Sequence, residues 1–521
     1  MTAVGLSMTI NGGAAPTVAT FGVVNPATGD VFAQAPACSR GQLDEAMAAA
    51  QTAFWTWSAD DKERRVVLGE MGDALEAAAD RLAPLLTAEQ GKPLEDARME
   101  VGGAVAWLRY YADLETLPEI VQDDEHGYVE VVRRPLGVVA AITPWNFPVA
   151  LAAWKFSPAL RAGNTMVLKP SPFTPLTTLA LGEIWREVVP PGVLNVVSGP
   201  DPLGAWMTAH PVPRKISFTG STATGRKVAA AAADDLKRVT LELGGNDPAI
   251  VLDDADPEQI ADGLFWAAFF NNGQVCCGVK RVYVHQRRHG ALVAALVARA
   301  KAARVGDGTQ PDVQLGPINN QPQFDRVSEL VGDALTHGAV VAAGGSPLDR
   351  PGYFFAPTIL TGVVDGTRIV DEEQFGPALP VIPYRDLGGA IERANGTTYG
   401  LTASVWSPDI DRACGIASRL DCGQVTVNVH AAIRPDLPLS GHKWSGFGVE
   451  NGPWGLQGFT DLQVLARPRP HAQRHGGIGG WCDGVPVTAD PLPGPPLFQA
   501  RRVCVSPVER SRCRGLTALS R

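Results

Sequence analysis

Apolar residues recur at helical spacing through the first part of the chain and change period near residue 128. Leu43, Ala46, Ala49, Ala50 and Phe54 share one helical stripe, and 65–85 repeats it, so helices are expected across 41–113. Tyr128-Val129-Glu130-Val131-Val132 alternates as a half-exposed strand, whereas 137–143 is continuously apolar, as a buried parallel strand should be. Strand and helix then take turns: a strand at 165–169, a helix over 174–188, strands at 193–197 and 215–219, a helix over 221–233 and a strand at 238–243. This rhythm predicts a doubly wound parallel sheet. A second series runs from Ala249 to Val427 and includes Val282-Tyr283-Val284, an Ala-rich helix at 291–302 and Ala403-Ser404-Val405-Trp406. Two α/β lobes are expected.

Composition narrows the class. With 521 residues, the chain has room for one large multi-lobed domain or for two to three domains. A formal charge of -9 gives no electrostatic reason to expect nucleic acid or an anionic membrane as partner. No apolar run reaches transmembrane length, and 1–16 lacks the basic start and apolar core of a secretory signal. The eight cysteines form no CxxC pair, which speaks against zinc and a disulfide framework; no metal site is expected, and a reducing cytoplasm is the expected location. From residue 467 to 521 the chain turns basic and rich in Pro, Arg and Gly, without periodicity, and it reads as a disordered or atypical tail with no catalytic role.

Five short stretches carry candidate chemistry, all at predicted strand ends or strand-to-helix turns. Gly273-Gln274-Val275-Cys276-Cys277 offers a thiol; such a Cys is more often a small buried hydrophobe, and two neighbours do not settle which one reacts. Glu242 ends an apolar strand before Gly244-Gly245, where burial would raise its pKa and suit it to activate water; a surface Glu is the alternative. Asn146, between Pro144 and Pro148 and flanked by Trp145 and Phe147, can donate its amide to an oxyanion or bond its own turn. Gly220-Ser221-Thr222-Ala223-Thr224-Gly225 opens a helix, a natural seat for a pyrophosphate, although it is not the GxGxxG pattern. Lys169 ends another strand, where a cation can hold a ribose or phosphate; a lone surface Lys is the alternative.

Taken in order, these motifs resemble the aldehyde dehydrogenase superfamily, dependent on NAD or NADP. The resemblance runs from about Phe21 to Leu465 on Pro144-Trp145-Asn146-Phe147-Pro148, Lys169-Pro170-Ser171, Phe218-Thr219-Gly220-Ser221-Thr222, Leu241-Glu242-Leu243-Gly244-Gly245 and Gly273-Gln274-Val275-Cys276. It continues through Glu372-Glu373-Gln374-Phe375-Gly376-Pro377 and Ser440-Gly441-His442-Lys443-Trp444-Ser445-Gly446. It implies a Rossmann-like dinucleotide-binding domain (1–116 and 136–242), an α/β catalytic domain (243–453) and a small β oligomerisation arm (117–135 and 454–466). A homodimer or homotetramer is implied as well.

It also implies Cys276 as nucleophile, Glu242 as general base and Asn146, with the Cys276 N–H, as oxyanion donor. Thr143, Trp145, Lys169, Ser171, Gly220, Ser221, Glu373 and Phe375 would hold the cofactor. The thiolate would attack a small-molecule aldehyde, hydride would pass to nicotinamide, and Glu242-activated water would hydrolyse the thioester to the acid. Phe147, Leu151, Trp154, Val275 and Ile433 align along the expected substrate tunnel and favour an apolar aldehyde; Arg434 could meet a carboxylate, with an exposed Arg the commoner reading. Two departures stand out. Pro172 replaces the Glu that many NAD-preferring relatives carry three residues after the lysine, so weak NAD preference and tolerance of NADP are expected. Pro438-Leu439-Ser440-Gly441 replaces Pro-Phe-Gly-Gly. A thiol hydrolase would need no dinucleotide turn, a CoA-acylating relative would exclude the hydrolytic water that Glu242 serves, and a non-enzymatic relative would have no use for the intact Asn146, Glu242 and Cys276.

Overall fold

The computed structural model describes residues 5–468, so the tail expected from 467 lies outside the described residues except for Arg467 and Pro468. Chain contacts separate a large unit, up to Val121 and from Val129 to Leu465, from a small one made of Gln122–Tyr128 and the residues from Ala466 on. In the small unit Asp124 Oδ1 accepts the backbone N–H groups of His126 (2.9 Å) and Gly127 (3.1 Å), closing a tight turn.

The helical stripe near the N-terminus becomes four helices, Arg40–Ala59, Asp61–Ala77, Ala79–Gln90 and Leu94–Asp113. The first starts at a reciprocal cap: Ser39 Oγ accepts Gln42 N–H (3.2 Å), and Gln42 Oε1 accepts Ser39 N–H (3.0 Å). Met47 and Trp57 are buried on its core face with Leu43, Ala46 and Ala50, while Phe54 is only half-buried.

Two large sheets form the frame. In the eight-stranded sheet the order is Gly446–Phe447, Arg238–Glu242, Lys215–Thr219, Val138–Ile142, Thr165–Lys169, Leu194–Val196, Met8–Ile10 and Gly13–Ala15. The five strands from Arg238–Glu242 to Leu194–Val196 run parallel. The seven-stranded sheet has the order Val340–Ala343, Thr358–Thr361, Ala378–Tyr384, Val279–His285, Asp247–Val251, Thr402–Trp406 and Gln424–Val427, and only Val340–Ala343 is antiparallel to its neighbour. Gly446–Phe447, although it lies far along the chain, pairs with Arg238–Glu242 through Glu242 and Gly446.

Between strands Val138–Ile142 and Thr165–Lys169 runs the helix Pro148–Arg161, in which every residue but Ala150 is buried. It is buried on every face, its charged Lys155 and Arg161 being paired with Glu450 and Asp61. Phe156 is fully buried, and truncating it to Ala would cost about 3–5 kcal/mol. The helix expected over 174–188 is shorter, Leu176–Ile184 followed by a 3₁₀ turn at Trp185–Glu187. Pro175 bars Thr174 from the helical region, so the helix begins after it. In the large unit, residues 129–135 and 460–465 belong to a third, three-stranded sheet, and Leu462 and Val464 stand exposed on it.

Candidate active site

Chain order reverses in the first sheet. From Val138–Ile142 the chain steps outward to Thr165–Lys169 and Leu194–Val196, then returns to place Lys215–Thr219 on the other side of Val138–Ile142. Ligands of open α/β sheets bind outside the carboxyl ends of strands at such a reversal. Thr143 and Gly220-Ser221 are the residues that follow those two strands. Ser221 caps the helix Thr222–Ala233, its Oγ accepting Thr224 N–H at 3.2 Å. Thr143 N–H donates to Lys169 O (3.0 Å), and Thr143 Oγ1 is buried without a hydrogen-bond partner.

Lys169 is buried, its ammonium donating to Pro170 O at 3.1 Å, and burial pulls its pKa down to about 8 against the opposing charge of Asp201. Ser171 Oγ accepts Phe173 N–H (3.2 Å). Trp145 meets Phe375 edge to face, with ring centroids 5.3 Å apart. Glu373 reaches the turn after Glu242: its Oε1 accepts Gly245 N–H at 2.9 Å. A Cβ at Gly244 would lie 2.4 Å from Glu373 Oε2, and one at Gly245 would lie 2.4 Å from Cys276 O, so the Gly-Gly pair is what lets both come close. Burial raises the Glu373 carboxyl to about 7, with Lys280 opposing.

The thiol sits on a contorted loop. Asn271, Asn272 and Gly273 have φ of 48°, 57° and 74°, three left-handed residues in succession, a conformation Asn and Gly tolerate best. Buried side chains hold the loop: Gln274 Nε2 donates to Asn271 O (2.8 Å), Lys280 Nζ to Gly273 O (2.6 Å), and Gln274 Oε1 accepts Asn319 N–H (2.8 Å). Asn146 Nδ2 donates to Gln274 O at 2.9 Å, which brings the amide to the thiol loop. Cys276 is half-buried and Cys277 buried. A hydrogen bond with Cys277, then burial, holds the Cys276 thiol well above its ordinary pKa. Burial first, then Glu450 and the Cys276 thiol, hold the Glu242 carboxyl far above the usual carboxylate range, and Glu242 Oε1 has no hydrogen-bond partner.

Leu151 and Trp154 are buried in the large core of the first lobe, and Phe147, Val275, Cys276 and Ile433 pack against that core half-buried. Phe147 stacks on Phe270 at 6.1 Å and Trp154 on Trp107 at 5.8 Å. Arg434 is exposed and gripped by Asp436 through two bonds of 2.9 and 2.6 Å, which satisfies the charge that a substrate carboxylate would have needed. Residues that the sequence did not single out also line these walls: Asn271 and Gln274 in the loop, Lys280 behind it, and a buried Lys155–Glu450 pair (2.9 Å) whose charges reach Glu242. Gln274 stands inside the motif that carries Cys276 and Asn271 opens a run of Asn-Asn-Gly; Lys280, Lys155 and Glu450 had no textual signal.

The chain matches the model of the aldehyde dehydrogenase family over residues 14–465. It belongs to that family. Human retinaldehyde dehydrogenase 3 is 38% identical over 455 residues, 85% of this chain and 89% of that protein. An aldehyde dehydrogenase from Bacillus cereus, solved as an NAD+ complex, is 36% identical with a TM-score of 0.87, covering 89% of this chain and 96% of that one. An Escherichia coli NADP-dependent enzyme superposes with the same TM-score at 36% identity, covering 89% and 98%. As an aldehyde dehydrogenase the chain is an NAD(P)-dependent oxidoreductase, and oxidation of aldehydes to carboxylic acids is the family reaction. Among the described residues no helix is long and apolar enough to cross a membrane, and no group of three or more His, Cys, Asp or Glu side chains could hold a metal.

Proposed function

We propose that this aldehyde dehydrogenase works through Cys276 as nucleophile, Asn146 as oxyanion donor and Glu242 as general base. The observation that carries the reading is the meeting of Asn146 with the thiol loop, through its 2.9 Å bond to Gln274 O, beside a buried Glu242 with a free oxygen. The raised pKa of Cys276 leaves the resting thiol protonated, so its proton passes to solvent before the sulfur attacks. The Cys276 sulfur adds to the aldehyde carbon, and the Asn146 amide with the Cys276 N–H receives the developing negative oxygen. The dinucleotide, when bound, supplies the hydride acceptor that turns the adduct into a thioester. Glu242 then takes a proton from water, which releases the carboxylate and frees the thiol.

The cofactor side fits a dinucleotide: an orphaned buried hydroxyl at Thr143, the helix start at Gly220-Ser221, the buried Lys169 beside Ser171, and the ring pair Trp145–Phe375 next to Glu373. Pro172 offers neither hydrogen-bond acceptor nor negative charge beside Lys169, which supports acceptance of NADP with only weak NAD preference. The domain reading assigns the dinucleotide to 1–116 with 136–242, the nucleophile to 243–453 and assembly as a homodimer or homotetramer to an arm of 117–135 and 454–466. The exposed Leu117, Ile120, Leu462 and Val464 support that role for the arm. The five cysteines of the described residues are free thiols, in keeping with a reducing cytoplasm.

The apolar and aromatic side chains of Phe147, Leu151, Trp154, Val275 and Ile433, with Arg434 held by Asp436, favour an aliphatic or aromatic aldehyde over a carboxylate-bearing semialdehyde. A panel of aldehydes, followed by absorbance of the reduced nicotinamide at ~340 nm with each cofactor in turn, tests both points. Apolar aldehydes should lead, with kcat/KM for NAD and NADP within about tenfold, a gap of ~1.4 kcal/mol. Leading semialdehydes would overturn the substrate reading, and strong NAD selectivity the cofactor reading.

A further inference from the structure

A buried ion pair outside the reacting groups grips the segment that carries Asn146. Lys92 and Glu100 have side chains only 0% and 2% exposed, and their charged groups meet directly. Burying two charges is costly, and such a pair persists only where further hydrogen bonds complete both partners. The remaining bonds here go to one short stretch of chain. Lys92 Nζ donates to the backbone oxygen of Asn146 at 3.0 Å and lies 3.9 Å from the centre of the Phe147 ring. Glu100 Oε1 accepts the N–H groups of Val149 (2.8 Å) and Ala150 (3.1 Å).

Those two N–H groups open the helix Pro148–Arg161, which has no side-chain cap of its own at Phe147. The pair therefore holds the chain on both sides of Pro148, by a carbonyl before it and by two N–H groups after it. Asn271 Nδ2, from the thiol loop, donates to the same Asn146 oxygen at 3.0 Å. With its carbonyl fixed from two sides, Asn146 has its Cα–Cβ direction set, and its Nδ2 is aimed at the loop of Cys276. A helix cap alone would need only Glu100; the reach of Lys92 to the carbonyl of the donor residue is what a cap does not require.

We propose that Lys92 and Glu100 act as positioning residues for the oxyanion donor: the pair fixes the backbone of Asn146 so that its amide is in place before the adduct forms. This rests on the reading of Asn146 as that donor. The test is the double variant Lys92→Met, Glu100→Gln, which removes both charges together and strands neither, compared with Asn146→Ala and with all three changes combined. Rapid mixing with aldehyde and NAD or NADP gives the rate of the first turnover; alkylation of Cys276 by iodoacetamide, which develops no oxyanion, reports the thiol alone. Losing one oxyanion donor typically costs ~10²–10³-fold, so the double variant should slow the first turnover by about 10–10²-fold, with alkylation changed less than about threefold.

Added to Asn146→Ala, the double variant should cost no more than about threefold further, because the pair acts through Asn146. First turnover within threefold of the parent, equal losses in turnover and alkylation, or losses that multiply with Asn146→Ala would each overturn the proposal while leaving Asn146 as donor. An Asn146→Ala variant with an undiminished first turnover would instead remove the donor reading and this one with it. Should the double variant fail to fold, Lys92→Arg keeps the charge but changes the reach to the carbonyl; it should show the same split at smaller size, and full turnover in that variant would overturn the proposal as well.

Discussion

The two walls of the site are built differently. The proposed cofactor wall consists of strand ends: Thr143, Lys169 and Gly220-Ser221 each stand at the carboxyl end of a parallel strand, positioned by a regular ladder. The thiol wall is a loop with three left-handed residues, kept in shape by side-chain bonds to backbone oxygens from Asn271, Gln274, Lys280 and Asn146. A ladder tolerates change at any single residue because its neighbours hold the register. A loop held by single buried bonds does not, since each lost partner leaves a buried polar group unpaired. The wall proposed to perform covalent chemistry is therefore the more fragile of the two.

Changes at the thiol wall should have the largest effects. Cys276→Ala is expected to abolish formation of reduced cofactor with every aldehyde, while NAD binding, followed by fluorescence, stays intact; activity surviving on Cys277 would break the distinction between the two sulfurs. Glu242→Gln comes next. Steady-state turnover should fall by ~10²–10⁴-fold, the contribution of a positioned general base.

The sign of the pH effect at Glu242 follows from its environment. Burial favours its protonated form, so the base becomes available only as pH rises through a pKa lifted well above 4.5. Parent kcat should climb with pH across that range, and the Gln variant should lose that limb; an identical limb in both would assign it to another group. At the cofactor wall the effect should be smaller. Pro172→Glu places a carboxylate near Lys169, and kcat/KM for NADP should drop by about tenfold, ~1.4 kcal/mol, with NAD changed little or improved. Equal effects on both cofactors would show that residue 172 does not face the ribose.

The same contrast explains what could be read in the sequence. Strands, helix starts and the residues at strand ends follow from local periodicity and turn chemistry, and Ser221 and Thr143 are found where the pattern puts them. Lys92, Glu100, Lys155 and Glu450 were not legible. Lys155 is a charge in the midst of apolar text and Lys92 and Glu100 are charges among other charges, and the meaning of each lies in a partner that folding alone supplies, 295 positions away for Lys155 and Glu450. Strands such as Met8–Ile10 and Gly446–Phe447 escaped for a related reason: they are too short to show a period and exist because a longer strand offers an edge. Pro175 was in plain view, and its restriction on Thr174 would have placed the helix start correctly.

We propose that Cys276, and not its neighbour, carries the acyl group. The most direct measurement uses Glu242→Gln to slow hydrolysis, mixes it with an aldehyde and NAD or NADP, quenches in acid and weighs the peptide that contains both cysteines. An acyl group on the Cys276 sulfur, formed in step with reduced cofactor, is the expected result. An acyl group on Cys277, or reduced cofactor formed with no acyl group on either sulfur, would contradict the account.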